Sequence, residues 1–143
     1  MKFLIIGLGS MGKRRIRNLQ FLGEKNIIGF DLSRDRCDEA KNQYGIEAGV
    51  DLKKIKLADF DAVIISTPPH LHGSFIKFAI KNKKHFFVEV ATNVDGYKEI
   101  LKSKNKNIIM APSCTFRYFL PIMMLKKILD DKKIGKILAY THH

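Results

Sequence analysis

Gly7-Leu8-Gly9-Ser10-Met11-Gly12 spaces three glycines so that each has a distinct physical use. The first makes a tight turn, the second lets the backbone approach a pyrophosphate, and the third lets a helix pack closely on a strand. A helix opening at this point presents free N–H groups to an anion. The chemistry implied is the holding of a dinucleotide. A glycine-rich turn that serves packing alone is the alternative, and the position between an apolar stretch and a helical repeat favours binding.

Asp31 lies 19 residues beyond Gly12, close to the spacing at which a carboxylate accepts from ribose hydroxyls. It would repel a 2′-phosphate, which leans towards NAD, whereas Ser33, Arg34 and Arg36 are near enough in sequence to bind one, so NADP stays open. A helix-capping role for Asp31, shared with Ser33, is compatible with ribose binding. Lys13, Arg14, Arg15 and Arg17 crowd the start of the first helix against its dipole, a conflict that a bound pyrophosphate would relieve. For Arg14 and Arg17 a solvated face is the simpler reading.

Ser66-Thr67-Pro68-Pro69-His70-Leu71-His72 closes an apolar run and leads into a helix, which would put it beside the glycine turn. Two histidines raise the question of a metal, but no neighbouring Cys or carboxylate cluster completes a ligand set and none is assigned. A His at a helix start is more often a cap or surface residue, and the strand-end position here raises the chance of a cofactor contact. Glu89 ends another apolar strand, where a carboxylate can bond a ribose, move a proton or pair with a lysine. Cys114 has no activating His or Asp in sequence and reads as a small buried residue.

The elements that must position these groups alternate. Strands are expected over Lys2–Ile6, Asn26–Phe30, Gly45–Ala48, Ala62–Ile65, His85–Val90 and Asn107–Ala111. Helical spacing runs from the glycine turn through Ile16, Leu19 and Leu22 to Gly23, then over Arg34–Tyr44, Leu71–Ile80, Tyr97–Leu101 and Tyr118–Leu129. Lys136–His143 reads as one more strand. This alternation predicts an α/β doubly wound parallel sheet with helices on both faces and ligands beyond the carboxyl ends of its strands.

With 143 residues, 45% hydrophobic and 28% charged, the chain has the size and composition of one folded domain. No apolar run is long enough to cross a bilayer. Cys37 and Cys114 form no disulfide framework, so a reducing, cytoplasmic setting is expected. The net charge of +12 is spread from Lys2 to Lys136 without a tract, and a pyrophosphate accounts for it as well as nucleic acid does.

Taken in order, the chain resembles the N-terminal domain of the glucose-fructose oxidoreductase, inositol dehydrogenase and rhizopine catabolism (Gfo/Idh/MocA) family, over almost its whole length. The resemblance rests on Gly7 to Gly12, Asp31, the run Asp61 to Pro68 followed by His72, Glu89, and Arg117 with Pro121 before Ile134-Gly135-Lys136-Ile137. It implies a Rossmann domain over residues 1–135 that binds NAD or NADP, and hydride transfer at the hydroxyl of a sugar, cyclitol or nucleotide sugar. In that scheme Gly7, Gly9, Ser10, Met11 and Gly12 hold the pyrophosphate, and Asp31 takes the adenosine ribose with Ser33 and Arg36 nearby. Thr67, Pro68, His72 and Glu89 line the nicotinamide half, and Arg117 sits near the nicotinamide or substrate.

Two departures stand out. The family pattern Glu-Lys-Pro, whose lysine positions substrate and assists proton transfer, is here Glu89-Val90-Ala91, and valine transfers no proton. The family also continues into a second α/β domain, of which residues 136–143 would be only the first strand. The leading expectation is therefore the cofactor domain of a sugar-type oxidoreductase, inactive by itself, as a fragment or as a component that needs a partner. A non-catalytic dinucleotide-binding or assembly module is the alternative, and a basic nucleic-acid binder ranks third. The edge strand at Lys136–Thr141 would be the place for pairing into a homo-oligomer.

Overall fold

Apolar residues fall at every position of Leu4, Ile5 and Ile6, and again at Val63, Ile64 and Ile65, and all of them are buried. A strand that is apolar on both sides needs cover on both faces, which a parallel sheet with crossover helices provides. The computed structural model, which describes residues 1–90, 94–103, 105 and 107–139, has that arrangement. Six strands, β1 (Phe3–Ile6), β2 (Ile27–Phe30), β3 (Glu47–Gly49), β4 (Ala62–Ile65), β5 (His85–Val88) and β6 (Met110–Pro112), form one parallel sheet in the order β3-β2-β1-β4-β5-β6. This is the doubly wound Rossmann order, and it reverses direction between β1 and β4.

Odd and even strand positions feed two cores. On one face Ile5, Ile27 and Ile64 pack with Ile16 and Leu19 of α1 (Ser10–Phe21) and with Cys37 and Ala40 of α2 (Arg34–Tyr44). On the other, Leu4, Ile6, Val63, Ile65 and Val88 pack with Ile76 and Ala79 of α3 (Pro69–Lys81), joined by Tyr97 and Ile100 of α4 (Tyr97–Lys102). Two 3-10 turns, Leu52–Lys54 and Leu57–Asp59, lead from β3 to β4.

Several boundaries differ from the sequence expectation for local reasons. Gly45 adopts φ +65° and ends α2, so β3 starts later, at Glu47. α3 starts two residues early because Pro69 occupies the first helical position, where a missing N–H costs nothing. The strand expected over Asn107–Ala111 is confined to Met110–Pro112, and β5 stops at Val88 although Glu89 N–H still reaches Ile65 O at 3.1 Å.

The chain divides into two compact units, Met1–Ser113 and Cys114–His143. The second contains a 3-10 turn, Thr115–Tyr118, and α5 (Leu120–Asp130), so the helix expected from Tyr118 begins at Leu120. Residues 136–139 carry no strand, and the remainder of the strand expected over Lys136–His143 lies outside the described residues. Cys114 is exposed, against the expectation of burial, because it follows the end of the edge strand β6 and begins the unit in which α5 buries none of its residues.

Candidate functional site

The reversal between β1 and β4 leaves a crevice at the carboxyl ends of the strands, and a cleft of about 760 Å³ opens there. The turn from β1 into α1 forms its floor. Gly7 has φ +92°, and a Cβ on it would lie 2.7 Å from Ser66 O and 3.0 Å from Thr67 N, so only glycine fits between the two strand ends. A Cβ on Gly12 would lie 1.9 Å from Gly7 O, which makes that glycine a condition of seating α1 against the turn. Gly9 is different in kind. Its φ of −68° suits any residue, and a Cβ there would meet nothing within 4 Å. Packing does not call for glycine at this position, and the space it leaves belongs to the cleft that Gly9, Ser10 and Met11 line.

Across the cleft Asp31 directly follows β2, only 8% exposed. Its Oδ2 accepts the Leu8 N–H at 2.8 Å and its Oδ1 accepts the Ser33 N–H at 2.9 Å, so this carboxylate ties the glycine turn to the start of α2. The side-chain cap of α2 is Ser33 alone, its hydroxyl accepting the Arg36 N–H at 3.4 Å. The Arg36 guanidinium stands 3.5 Å from Asp31 Oδ2 and lines the cleft with Ser33. The Asp31 carbonyl accepts the Cys37 thiol at 3.5 Å, and burial pushes that thiol above its ordinary pKa.

The opposite wall is the end of β4. Ser66, Thr67 and Pro68 line the cleft, and the hydroxyls of Ser66 and Thr67 are buried with no hydrogen-bond partner among the described residues. His72 is fully buried in the first turn of α3, where its Nε2 donates to Thr67 O at 2.8 Å; it stands behind the wall and does not line the cleft.

Glu89 lies one strand further on and is paired. Arg15 of α1 donates from Nε to Oε1 at 2.6 Å and from Nη2 to Oε2 at 2.9 Å, while its guanidinium stacks 4.8 Å over the Phe87 ring. The partner is thus an arginine from the glycine helix, not one of the lysines. Lys13 likewise pairs with Glu39, so carboxylates from other elements offset two of the four positive charges at the start of α1, while Arg17 donates to Tyr44 Oη at 3.3 Å. Arg14 and Arg17 are exposed, as a solvated face requires. Val90 is 58% exposed. Arg117 belongs to the second unit, in its 3-10 turn.

The structure therefore brings Gly7, Gly9, Ser10, Met11, Asp31, Ser33, Arg36, Thr67 and Pro68 around one cleft, with Gly12 buried beneath it. Sequence reasoning missed most of its apolar part. Phe30, Leu32, Leu52 and Phe75 join Leu71, which lies in the run already expected beside the glycine turn, and the one clue to the others was Leu32, an apolar residue in a polar turn that stands 80% exposed. An open cradle at Gly9, a helix start without a side-chain cap, unpartnered hydroxyls and an apolar wall fit a dinucleotide with two phosphates and flat ring systems.

The comparisons with known proteins agree with this geometry. The model of the oxidoreductase family with an NAD-binding Rossmann fold, Gfo/Idh/MocA, matches residues 1–111. The chain is similar to the scyllo-inositol 2-dehydrogenase (NAD(+)) of Bacillus subtilis strain 168, 29% identical over an alignment that covers 95% of this chain and 42% of that protein. It superposes on the scyllo-inositol dehydrogenase of Lactobacillus casei with bound NAD(H) and scyllo-inositol, with a TM-score of 0.80 and 25% identity over 96% of this chain and 43% of the other. It shares the fold of the WlbA dehydrogenase of Bordetella pertussis in complex with NADH and UDP-GlcNAcA, with a TM-score of 0.84 and 20% identity over 96% of this chain and 41% of that one. The chain spans about two fifths of the length of the curated relatives it matches. No helix among the described residues is long and apolar enough to cross a membrane.

Proposed function

The chain belongs to the Gfo/Idh/MocA oxidoreductase family, and from that premise we propose that it is the cofactor-binding part of a dehydrogenase that acts on the hydroxyl of a sugar, cyclitol or nucleotide sugar. The observation that carries the reading is the open position at Gly9, a glycine that the packing of this chain does not require. In this reading Gly7, Gly9, Ser10, Met11 and Gly12 hold the pyrophosphate, through backbone N–H groups at the start of α1. Asp31 accepts from the adenosine ribose, with Ser33 and Arg36 beside it, and the apolar wall excludes water. Thr67 and Pro68 border the nicotinamide side. Assignment of Glu89 and Arg117 to that half rests on the family resemblance, whereas His72 stands behind the wall and supports Thr67 from there.

The nicotinamide ring, when bound, supplies the hydride acceptor or donor. NAD is the proposed cofactor, because a 2′-phosphate would meet the carboxylate of Asp31, which is 8% exposed and faced by one guanidinium at 3.5 Å. No residue is assigned to proton transfer, since Val90 stands where the family has lysine. That substitution is the specific observation behind a second reading, a dinucleotide-binding module without catalysis of its own.

The test is a fluorescence titration of the protein with NADH and with NADPH at two salt concentrations. Saturation by NADH at least about tenfold tighter than by NADPH supports the reading. A folded protein that saturates with neither refutes it, and equal affinities refute the preference for NAD.

A further inference from the structure

We propose that His72 is the positioning residue of the cleft, holding the Thr67 carbonyl from behind so that the Ser66-Thr67-Pro68 segment stays seated against the glycine turn. The inference rests on the dinucleotide reading above and concerns how the wall is set, not which atoms touch the ligand.

The start of α3 creates the need. Pro68 is the N-cap of α3 and its carbonyl accepts the Leu71 N–H at 3.0 Å, so Thr67 precedes the helix and no helical N–H reaches its carbonyl. Thr67 O is thereby left outside the helical ladder, and His72 Nε2 supplies its hydrogen bond at 2.8 Å. A carbonyl only accepts, so Nε2 of the imidazole carries a proton, and Nδ1 is buried with no partner among the described residues. Placing a fully buried imidazole in this way is costly, and the bond to Thr67 is its visible return.

Thr67 is also where the cleft is most tightly built. Its backbone N and the Ser66 carbonyl press on Gly7, at 3.0 and 2.7 Å from where a Cβ would stand, while Thr67 and Pro68 form the wall. The Ser66 N–H holds the segment to Ile6 O of β1 at 2.8 Å, and the His72 bond at 2.8 Å holds the next residue, Thr67, from the other side. Nothing in this arrangement has His72 meeting the ligand, because it does not line the cleft.

Replacement by Gln and by Asn tests the idea. A Gln amide nitrogen reaches about as far as Nε2 and can donate to Thr67 O, whereas an Asn amide extends only as far as Nδ1. His72→Gln is expected to keep NADH affinity within about threefold, and His72→Asn to lose about tenfold, the loss set by one buried hydrogen bond. Thermal unfolding of both variants controls for folding. Nitrogen-15 NMR of the unmodified protein is expected to find the His72 proton on Nε2. Equal affinities for the Asn variant and the unmodified protein, equal losses in both variants, or a proton on Nδ1 and none on Nε2 would overturn the assignment of His72 alone. An unmodified protein that binds no NADH overturns the cofactor reading and this inference with it.

Discussion

Gly9→Val separates what the fold needs from what the ligand needs. At φ −68° and ψ −166° the position lies in extended backbone that valine tolerates, and a Cβ would meet nothing within 4 Å. The expected cost to the fold is that of a poorer helix N-cap, about 1 kcal/mol, or about 3 °C in melting temperature for a chain of this size. The isopropyl group would stand in the cleft and hold a pyrophosphate away from the start of α1. Losing two charge-assisted hydrogen bonds of about 1.5 kcal/mol each predicts at least a hundredfold weaker NADH binding. Gly12→Ala should do the reverse in kind, since its Cβ falls 1.9 Å from Gly7 O and must displace backbone. Overpacking there is expected to cost about 3 kcal/mol or more. The assay pairs NADH titration with thermal melts of the same samples. Unchanged NADH affinity in Gly9→Val, or a fall in its melting temperature as large as that of Gly12→Ala, would refute the reasoning.

Other consequences follow from packing and charge. Arg15 and Glu89 are 23% and 13% exposed in their side chains and share two hydrogen bonds, so Glu89→Gln and Arg15→Met should each cost about 1–2 kcal/mol. A double-mutant cycle by denaturant unfolding that returns no coupling would contradict that pairing. Iodoacetamide followed by mass spectrometry should label exposed Cys114 within minutes and Cys37 only after denaturation; early labelling of Cys37 would contradict its burial. Because burial raises the Cys37 pKa, its thiol favours the fold below the unfolded-state value, and that contribution fades as alkaline pH rises through the folded one. Lys83 and Lys132 end α3 and α5 in the left-handed region at φ 54°, where Gly23 ends α1 at φ 84°. Lys83→Gly and Lys132→Gly should each stabilise by about 0.5–1 kcal/mol, read as a rise in the denaturation midpoint, and a fall would mean that the lysine side chains hold those turns.

The repeat of apolar stretches and helical spacing by itself determines a doubly wound parallel sheet, because strands apolar on both sides have few other ways to be covered. The glycine spacing and Asp31 were legible because both are read from short spacings along the chain, three glycines in six residues and an acid 19 residues beyond the last of them. Chain position does not reveal what lies across the sheet. That Glu89 meets Arg15, 74 residues away, that Asp31 reaches Leu8, 23 residues away, and that His72 turns inward to Thr67 depend on how the strands and helices pack. Nor does a motif say why each glycine is there. Gly7 and Gly12 are demanded by neighbouring backbone at contact distance, whereas Gly9 is demanded by none. Three identical letters in one motif differ in role because only the tertiary structure decides which of them faces protein and which faces the space a ligand would fill.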